Sequence, residues 1–346
     1  MIRRLLVGLC CLSALGAAGA AATWQGLLAR IETPIPALPS EGVFVDVRPG
    51  DSTRAIAERL EAAGVVGEAW TFRFAAWRGR HERSLQAGEY YFDAPVSPAA
   101  ALAKIVAGRV HLKAITFPEG LTLPQMGAIV EKWGLAPASE FAAAARRVEL
   151  VADLDPDAAD LEGYLFPETY SLPRTATVDD LVAAMVARFR VVFDAELRSR
   201  AAERGLSVRD VVTLASIIQR ESGNGDEFAL VSAVFNNRLR IGMPLQSDPT
   251  TIYALERAGR YDGNLTRANL RFDSPYNTYV YPGLPPGPIA APGGAVLRAA
   301  LAPADVTHLY FVSRNDGTHA FADTLREHNR NVREFQVEYF QRRRGR

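Results

Sequence analysis

Over residues 207–221 the apolar positions fall on one face of a helix. Val211, Leu214, Ile218 and Glu221 recur at spacings of three, four and three, which in an α-helix bring side chains onto one stripe. Ser207 and Asp210 have the spacing of a capping box and predict the start; Ser222-Gly223-Asn224-Gly225 predicts the stop. The stripe is apolar until it ends in a carboxylate. Burial strips hydration from that group, and the negative end of the helix dipole lies beside it. Both disfavour the charged form and raise the pKa. A carboxylic acid still protonated near neutral pH is what a general acid must be. On this stretch alone, a Glu that turns to solvent at a frayed end beside Arg220 is the plainer reading. The rest of the chain shifts the balance.

Alternation over 43–47 predicts a strand, Pro49-Gly50-Asp51-Ser52 a turn and cap, and Ile56, Leu60 and Ala63 a helix ending at Gly64. A helix over 68–79 and a strand over 88–92 complete a strand–helix–helix–strand unit. Further patterns predict a helix at 98–107, a strand at 114–117, a helix at 124–133 and an Ala-rich one at 137–153. One long helix is expected over 177–204, with Leu181, Met185 and Phe189 on one face, and another over 226–240. Asp248-Pro249 starts a turn, with Thr250-Thr251 able to cap the helix beyond. A helix at 293–302, strands at 308–313 and around Phe321, and a closing helix at 324–341 follow. The class is α+β. Two blocks have no period: LEGYLFPETY at 161–170 and SPYNTYVYPGLPPGPIAAP at 274–292. They concentrate aromatics, proline and glycine, as ordered loops beside sites do. The plain alternative for the first is an edge loop covering a core.

The 346 residues suit about two domains. Lys plus Arg and Asp plus Glu number 39 each, so no overall charge invites nucleic acid. Arg3 and Arg4 precede an uncharged run over 5–22, and Trp24 lies just past it. A signal peptide shares the basic start and small-residue end. A membrane helix needs about 17–20 apolar residues, which the run reaches. The expectation is a retained single-pass inner-membrane anchor within 1–24, its N-terminus cytoplasmic, then a Pro-rich linker over 25–40 and a periplasmic remainder. Either reading exports the bulk of the chain. Cys10 and Cys11 lie inside the run, so the exported part has no thiol.

The five His, at 81, 111, 308, 319 and 328, lack metal-ligand spacing, and no phosphate-cradling glycine loop or nucleophile elbow occurs. No cofactor and no metal are expected. What remains is carboxylates near aromatics: Glu221, Glu162, Glu168 and Asp248. Carbohydrate chemistry uses this pairing, since sugar rings stack on aromatic faces and glycosidic oxygens need a proton donor.

Six segments carry a family likeness in order: Pro118-Glu119-Gly120, LEGYLFPETY, ASIIQRES at 215–222, VFNNRLRIGMPLQSDPTTIYAL at 234–255, SPYNTY at 274–279 and GLPPGPIAAPG at 283–293. With them the chain resembles the MltG (YceG-like) endolytic murein transglycosylases, from about residue 43 to 335. The strand–helix–helix–strand unit with V-x-x-G-D-S resembles the LysM glycan-binding module, placed at 41–112 ahead of a catalytic domain at 113–346. The resemblance implies that Glu221 is the catalytic residue. Many relatives carry a second Glu where this chain has Gln219, so Glu221 is the one candidate in its segment.

It implies lytic cleavage of the MurNAc–GlcNAc β-1,4 bond of nascent strands to 1,6-anhydroMurNAc ends, terminating elongation. The implied partners are peptidoglycan glycan strands, the inner membrane and penicillin-binding synthases. Gln246 and Asp248 are expected to hydrogen-bond sugar amides and hydroxyls, and Glu162 to orient groups around Glu221. Tyr164, Tyr253 and Tyr279 are expected to stack on rings, and Arg238 to pair with Glu162 or Asp248. Ser222 and Thr250 complete the expected substrate-binding set. A glycoside hydrolase using Glu162 or Asp248 as second carboxylate, and an inactive membrane-tethered glycan-binding scaffold, stand as alternatives.

Overall fold

A computed structural model describes residues 2–35 and 37–344, with side chains from 15 to 341 apart from residue 36. The chain divides into two compact units, residues 1–113 with 171–175, and residues 114–170 with 176–346.

In the first unit, strand β1 (Val43–Val47) pairs antiparallel with β2 (Gly88–Phe92), with Val45 opposite Tyr90. Between them lie helices α2 (Thr53–Ala62) and α3 (Ala69–Gly79), so the strand–helix–helix–strand order read from the sequence is the order observed. Ser52 caps α2 by accepting the Ala55 N–H, and Ser97 caps α4 (Pro98–Val106) by accepting the Ala100 N–H. Val45, Val47, Ile56, Leu60, Phe72, Tyr90, Phe92 and Ile105 form the core.

Helix α1 (Ile2–Glu32) corrects the expected linker: residues 25–32 are helical rather than extended. Leu28 and Ile31, three apart, face the core of this unit, and Ile31 is fully buried. Apolar burial outweighs the helix-stopping reading of the nearby prolines, which begin at Pro34. Among the described residues no helix is long and apolar enough to cross a membrane. The expected span begins at residue 5, and its side chains up to residue 14 lie outside those described.

The second unit is mostly helical. The boundary between units falls within β3 (Lys113–Thr116) and β4 (Thr169–Leu172), which form a two-stranded sheet. Strand β4 lies at the end of the block expected to be irregular. Helices α5 (Leu123–Trp133) and α6 (Ala138–Ala144) follow β3. The expected Ala-rich helix to 153 stops at Ala145 and resumes only as a 3-10 turn over Val148–Leu150. The long helix over 177–204 is two, α7 (Val178–Val192) and α8 (Ala195–Glu203). Asp194 causes the break: its carboxylate accepts the Leu197 N–H and starts a new helix.

Helix α9 (Val208–Glu221) is the centre of this unit. The capping box of Ser207 and Asp210 is present. Every residue from 211 to 218 is buried, because α10 (Phe228–Arg240) and α12 (Gly294–Leu301) pack against it. Its buried Ser216 donates to the Thr213 carbonyl and accepts the Ile289 N–H, which ties the proline-rich loop to the helix. Helix α11 (Asp248–Arg257) starts at least three residues earlier than the Thr250-Thr251 cap implied: Ser247 is its N-cap, and Pro249 stands in the first turn. Strands β5 (Tyr310–Ser313) and β6 (His319–Ala322) form a hairpin. Helix α13 (Leu325–Val332), a π-helical stretch over Arg333–Glu338 and α14 (Tyr339–Arg344) replace the single closing helix.

Candidate active site

Glu221 is the last residue of α9 and lines a cleft of about 310 Å³. The rest of the lining comes from α10 and the turn after it (Phe235, Arg238, Leu245, Gln246), from Asp248 and Tyr279, and from the C-terminal hairpin and α13. The helix stops on time because Ser222 takes an extended conformation. Its hydroxyl accepts the Asn224 N–H and donates to the Asn224 carbonyl, closing the turn.

One oxygen of Glu221 is held. The Ser247 hydroxyl donates to Glu221 Oε1 at 2.5 Å. Ser247 is itself fixed: it is 1% exposed, and its N–H donates to the Thr278 hydroxyl at 3.0 Å. Thr250, fully buried, donates to the Ser247 carbonyl and bonds the Thr278 hydroxyl. Thr251 donates to Asn277, whose amide in turn holds the Leu270 and Phe272 carbonyls. The SDPTT and NTY segments are thus one hydrogen-bonded block. Gln246 enters it with φ +50, a left-handed conformation that costs a non-glycine residue about 1–2 kcal/mol and marks an over-determined backbone.

Glu221 has its pKa raised to about 7. Burial is the main cause, and the neighbouring Asp248 adds to it; the Ser247 hydroxyl and Arg238 pull the other way. Asp248 accepts the Tyr279 hydroxyl at 2.6 Å. Burial, and then that bond, raise the Tyr279 pKa, keeping the phenol neutral.

Arg238 does not form the ion pair expected with Glu162 or Asp248. Nε donates to the Leu309 carbonyl and Nη1 to the Leu245 and Pro244 carbonyls, and the guanidinium lies 5.3 Å from the Tyr310 ring centre. It buttresses the cleft wall through backbone, and burial lowers its pKa.

The structure gathers Glu221, Arg238, Gln246, Asp248 and Tyr279 at the cleft and places the other expected residues behind it. Tyr164 is 1% exposed, edge-on to Phe189, and its hydroxyl donates to Asp155. Its ring has no face left for a sugar. Tyr253 is buried likewise and donates to Glu162. Glu162 is 4% exposed; its Oε2 accepts the Leu123 N–H and the Tyr253 hydroxyl, while Oε1 is buried without a partner. Burial raises its pKa to about 8. Ser222 and Thr250 are spent on the turn and block described above. Gln219 accepts the Gly293 N–H at 3.0 Å and so anchors the proline-rich loop instead of facing the cleft.

Sequence reading missed Ser247, Phe235, Leu245, Tyr310, Phe311, Leu325 and His328. Ser247 stands between two residues that were singled out. Phe235 and Leu245 lie in the 234–255 segment that carries the likeness, and the others come from C-terminal segments whose ordinary patterns give no sign of which face meets a cleft. His328 stacks on Tyr310 at 5.1 Å, and burial lowers its pKa. Among the described residues no group of His, Cys, Asp and Glu is arranged to hold a metal.

Comparison with known proteins gives concordant findings. The model of the YceG-like family matches residues 45–334. The endolytic murein transglycosylase of Bacillus subtilis is 31% identical over 314 residues, covering 83% of each chain. That of Streptococcus pneumoniae is 30% identical over 336 residues, 87% of this chain and 60% of the pneumococcal protein. The crystal structure of a YceG-like protein from Listeria monocytogenes superposes with a TM-score of 0.57 at 30% identity, covering 84% of this chain and 98% of that one.

Proposed function

The chain belongs to the YceG-like family, and from that premise we propose that it is an endolytic peptidoglycan transglycosylase with Glu221 as its acid and base. The observation that carries the proposal is a cleft carboxyl group held by Ser247 with its pKa near 7. Such a group is divided between its two forms at neutral pH, so one residue serves first as donor and then as acceptor. Glu221 gives its proton to the glycosidic oxygen between MurNAc and GlcNAc. The C1–O4 bond breaks, and GlcNAc leaves with a free 4-hydroxyl. The C6 hydroxyl of the same MurNAc then bonds to C1 and returns its proton to the Glu221 carboxylate. The product carries a 1,6-anhydro end, no water is consumed, and Glu221 is regenerated. The carboxylate of Asp248, in the same cleft, favours the positive charge that develops at C1. Gln246 and Asp248 hydrogen-bond the sugar, and half-buried Tyr279 offers it a ring face.

The wider reading has three parts. The run over 5–22 is a retained inner-membrane anchor, residues 41–112 are a LysM-like glycan-binding module, and residues 113–346 carry the chemistry in the periplasm. Cleavage beside the membrane suits release of strands from the penicillin-binding synthases that make them.

Asp248 favours one rival: a second carboxylate in the cleft is what a hydrolase uses. Mass spectrometry of digested glycan strands decides. Anhydromuramic ends support the lytic route, and products heavier by one water overturn it. Glu221→Gln is expected to fold and to release no product; retained cutting would falsify the assignment. Wild-type chain that binds strands and never shortens them points to the scaffold instead.

A further inference from the structure

The first unit carries an aromatic face whose central ring, Phe74, packs on the core while its two tryptophans stand exposed. Trp77 on α3 is 57% exposed, and Trp24 on α1 is 44% exposed. Phe74 lies between them, edge-on to Trp24 at 5.7 Å and stacked with Trp77 at 5.8 Å. Arginines are dense in the same stretch: residues 69–83 contain Arg73, Arg78, Arg80 and Arg83 against a single acid, Glu82, and Arg73 and Glu82 line a groove with Phe74 and Trp77. All four are exposed.

The position of this face along α1 is fixed by helix geometry. Helix α1 runs unbroken from Ile2 to Glu32, so the uncharged run ending at Ala22 and the ring of Trp24 share one rod. Two residues advance it by about 3 Å. Phe74 touches Trp24, which ties α3 to the same level, and Trp77 stacks on Phe74. The headgroup layer on each side of a bilayer is about 5–8 Å deep. Tryptophan and arginine are the residues that suit this layer: the indole is apolar with one polar edge, and the guanidinium meets lipid phosphates.

We propose that the Trp24–Phe74–Trp77 face, with Arg73 and Arg78, seats in the headgroup layer of an anionic bilayer and holds the first unit against the membrane. This rests on the reading of residues 5–22 as an anchor. Seating restricts rotation of the unit about its helix, which a lone anchor leaves free. A peptidoglycan strand would account for the rings and, through its carboxylates, for the arginines, but not for the shared level with the end of the uncharged run.

The test uses the full chain reconstituted in phosphatidylglycerol–phosphatidylcholine vesicles whose acyl chains are brominated close to the headgroups. Bromine quenches indole on contact. The expected result is that wild type loses more emission than Trp77→Phe, the difference being the quenched Trp77 component. That component is expected to shrink in Arg73→Glu/Arg78→Glu. Equal quenching of wild type and Trp77→Phe, in protein that resists alkaline carbonate washing, overturns the seating and leaves the anchor standing. Release of the protein by carbonate removes the anchor and the seating together. Quenching relieved by added glycan fragments in place of lipid overturns the proposal in favour of a glycan groove. Circular dichroism of both variants checks that the unit still folds.

Discussion

The hydroxyl of Ser247 holds one oxygen of Glu221 and stabilises the carboxylate form. Two consequences separate. Losing it frees the carboxyl rotamer, which lowers the rate. Losing it also removes a donor to the charged form, which raises the Glu221 pKa further. An acid must be protonated to act, so activity of wild type is expected to fall as pH rises through about 7. Ser247→Ala is therefore expected to cut more slowly and to keep its residual activity to higher pH, with Ser247→Thr restoring both. A pH profile of kcat/KM on glycan strands measures the pair. A lower rate with an unmoved profile would mean that the serine only supports the loop. Sequence placed Glu221 on its stripe, since a 3.6-residue period needs no tertiary information. It did not single out Ser247, whose importance arises from a partner 26 positions away.

At the scale of elements, α9 is buried by α10 and α12, and loops stack against it as well. Gly163 sits among them with φ +81, and a Cβ there would lie 2.5 Å from Pro288 Cβ and 2.8 Å from Val212 Cγ1. Only glycine fits both the conformation and the space. Gly163→Ala is expected to cost roughly 3 kcal/mol, adding left-handed strain to overpacking, read as a lower urea midpoint at unchanged slope. Gly293 differs: its φ of -79 suits any residue, the atoms nearest an added Cβ are those of the flexible Glu119 carboxyl, and its N–H is taken by Gln219. The aperiodic blocks at 161–170 and 274–292 are thus packing pieces as much as site pieces. Their lack of period marked them as unusual. It could not say which of their rings turn inward, and Tyr164 turned inward while Tyr279 reached the cleft.

Among the described residues, burial raises the pKa of two carboxyl groups far above the ordinary 4.5, Glu221 to about 7 and Glu162 to about 8. Between pH 4.5 and 8 the folded chain binds more protons at these sites than the unfolded chain does. Stability gained from the neutral carboxyls is therefore complete at low pH and is lost as pH rises through 7 and 8. Thermal stability of the chain is expected to decline over that window. Glu162→Gln/Glu221→Gln is expected to flatten the decline, gaining up to a few kcal/mol at pH 8 and nothing from these sites below about pH 4.5. A wild-type melting temperature that rises from pH 5 to 8 while the double variant stays level would show that neither group is desolvated.

By itself the sequence determined where most helices start, the α+β class, the carboxyl group at the end of α9 and the segments that build its surroundings. These depend on local period, caps and breakers, which neighbours in the chain decide. Tertiary structure decided which side chains share the cleft. It sent Arg238 to backbone carbonyls rather than to a carboxylate, buried Glu162 and Tyr253 together behind the site, and supplied Tyr310 and His328 from the C-terminal segment. Those outcomes depend on contacts between residues tens of positions apart, where burial and hydrogen-bond geometry, not sequence spacing, select the partner.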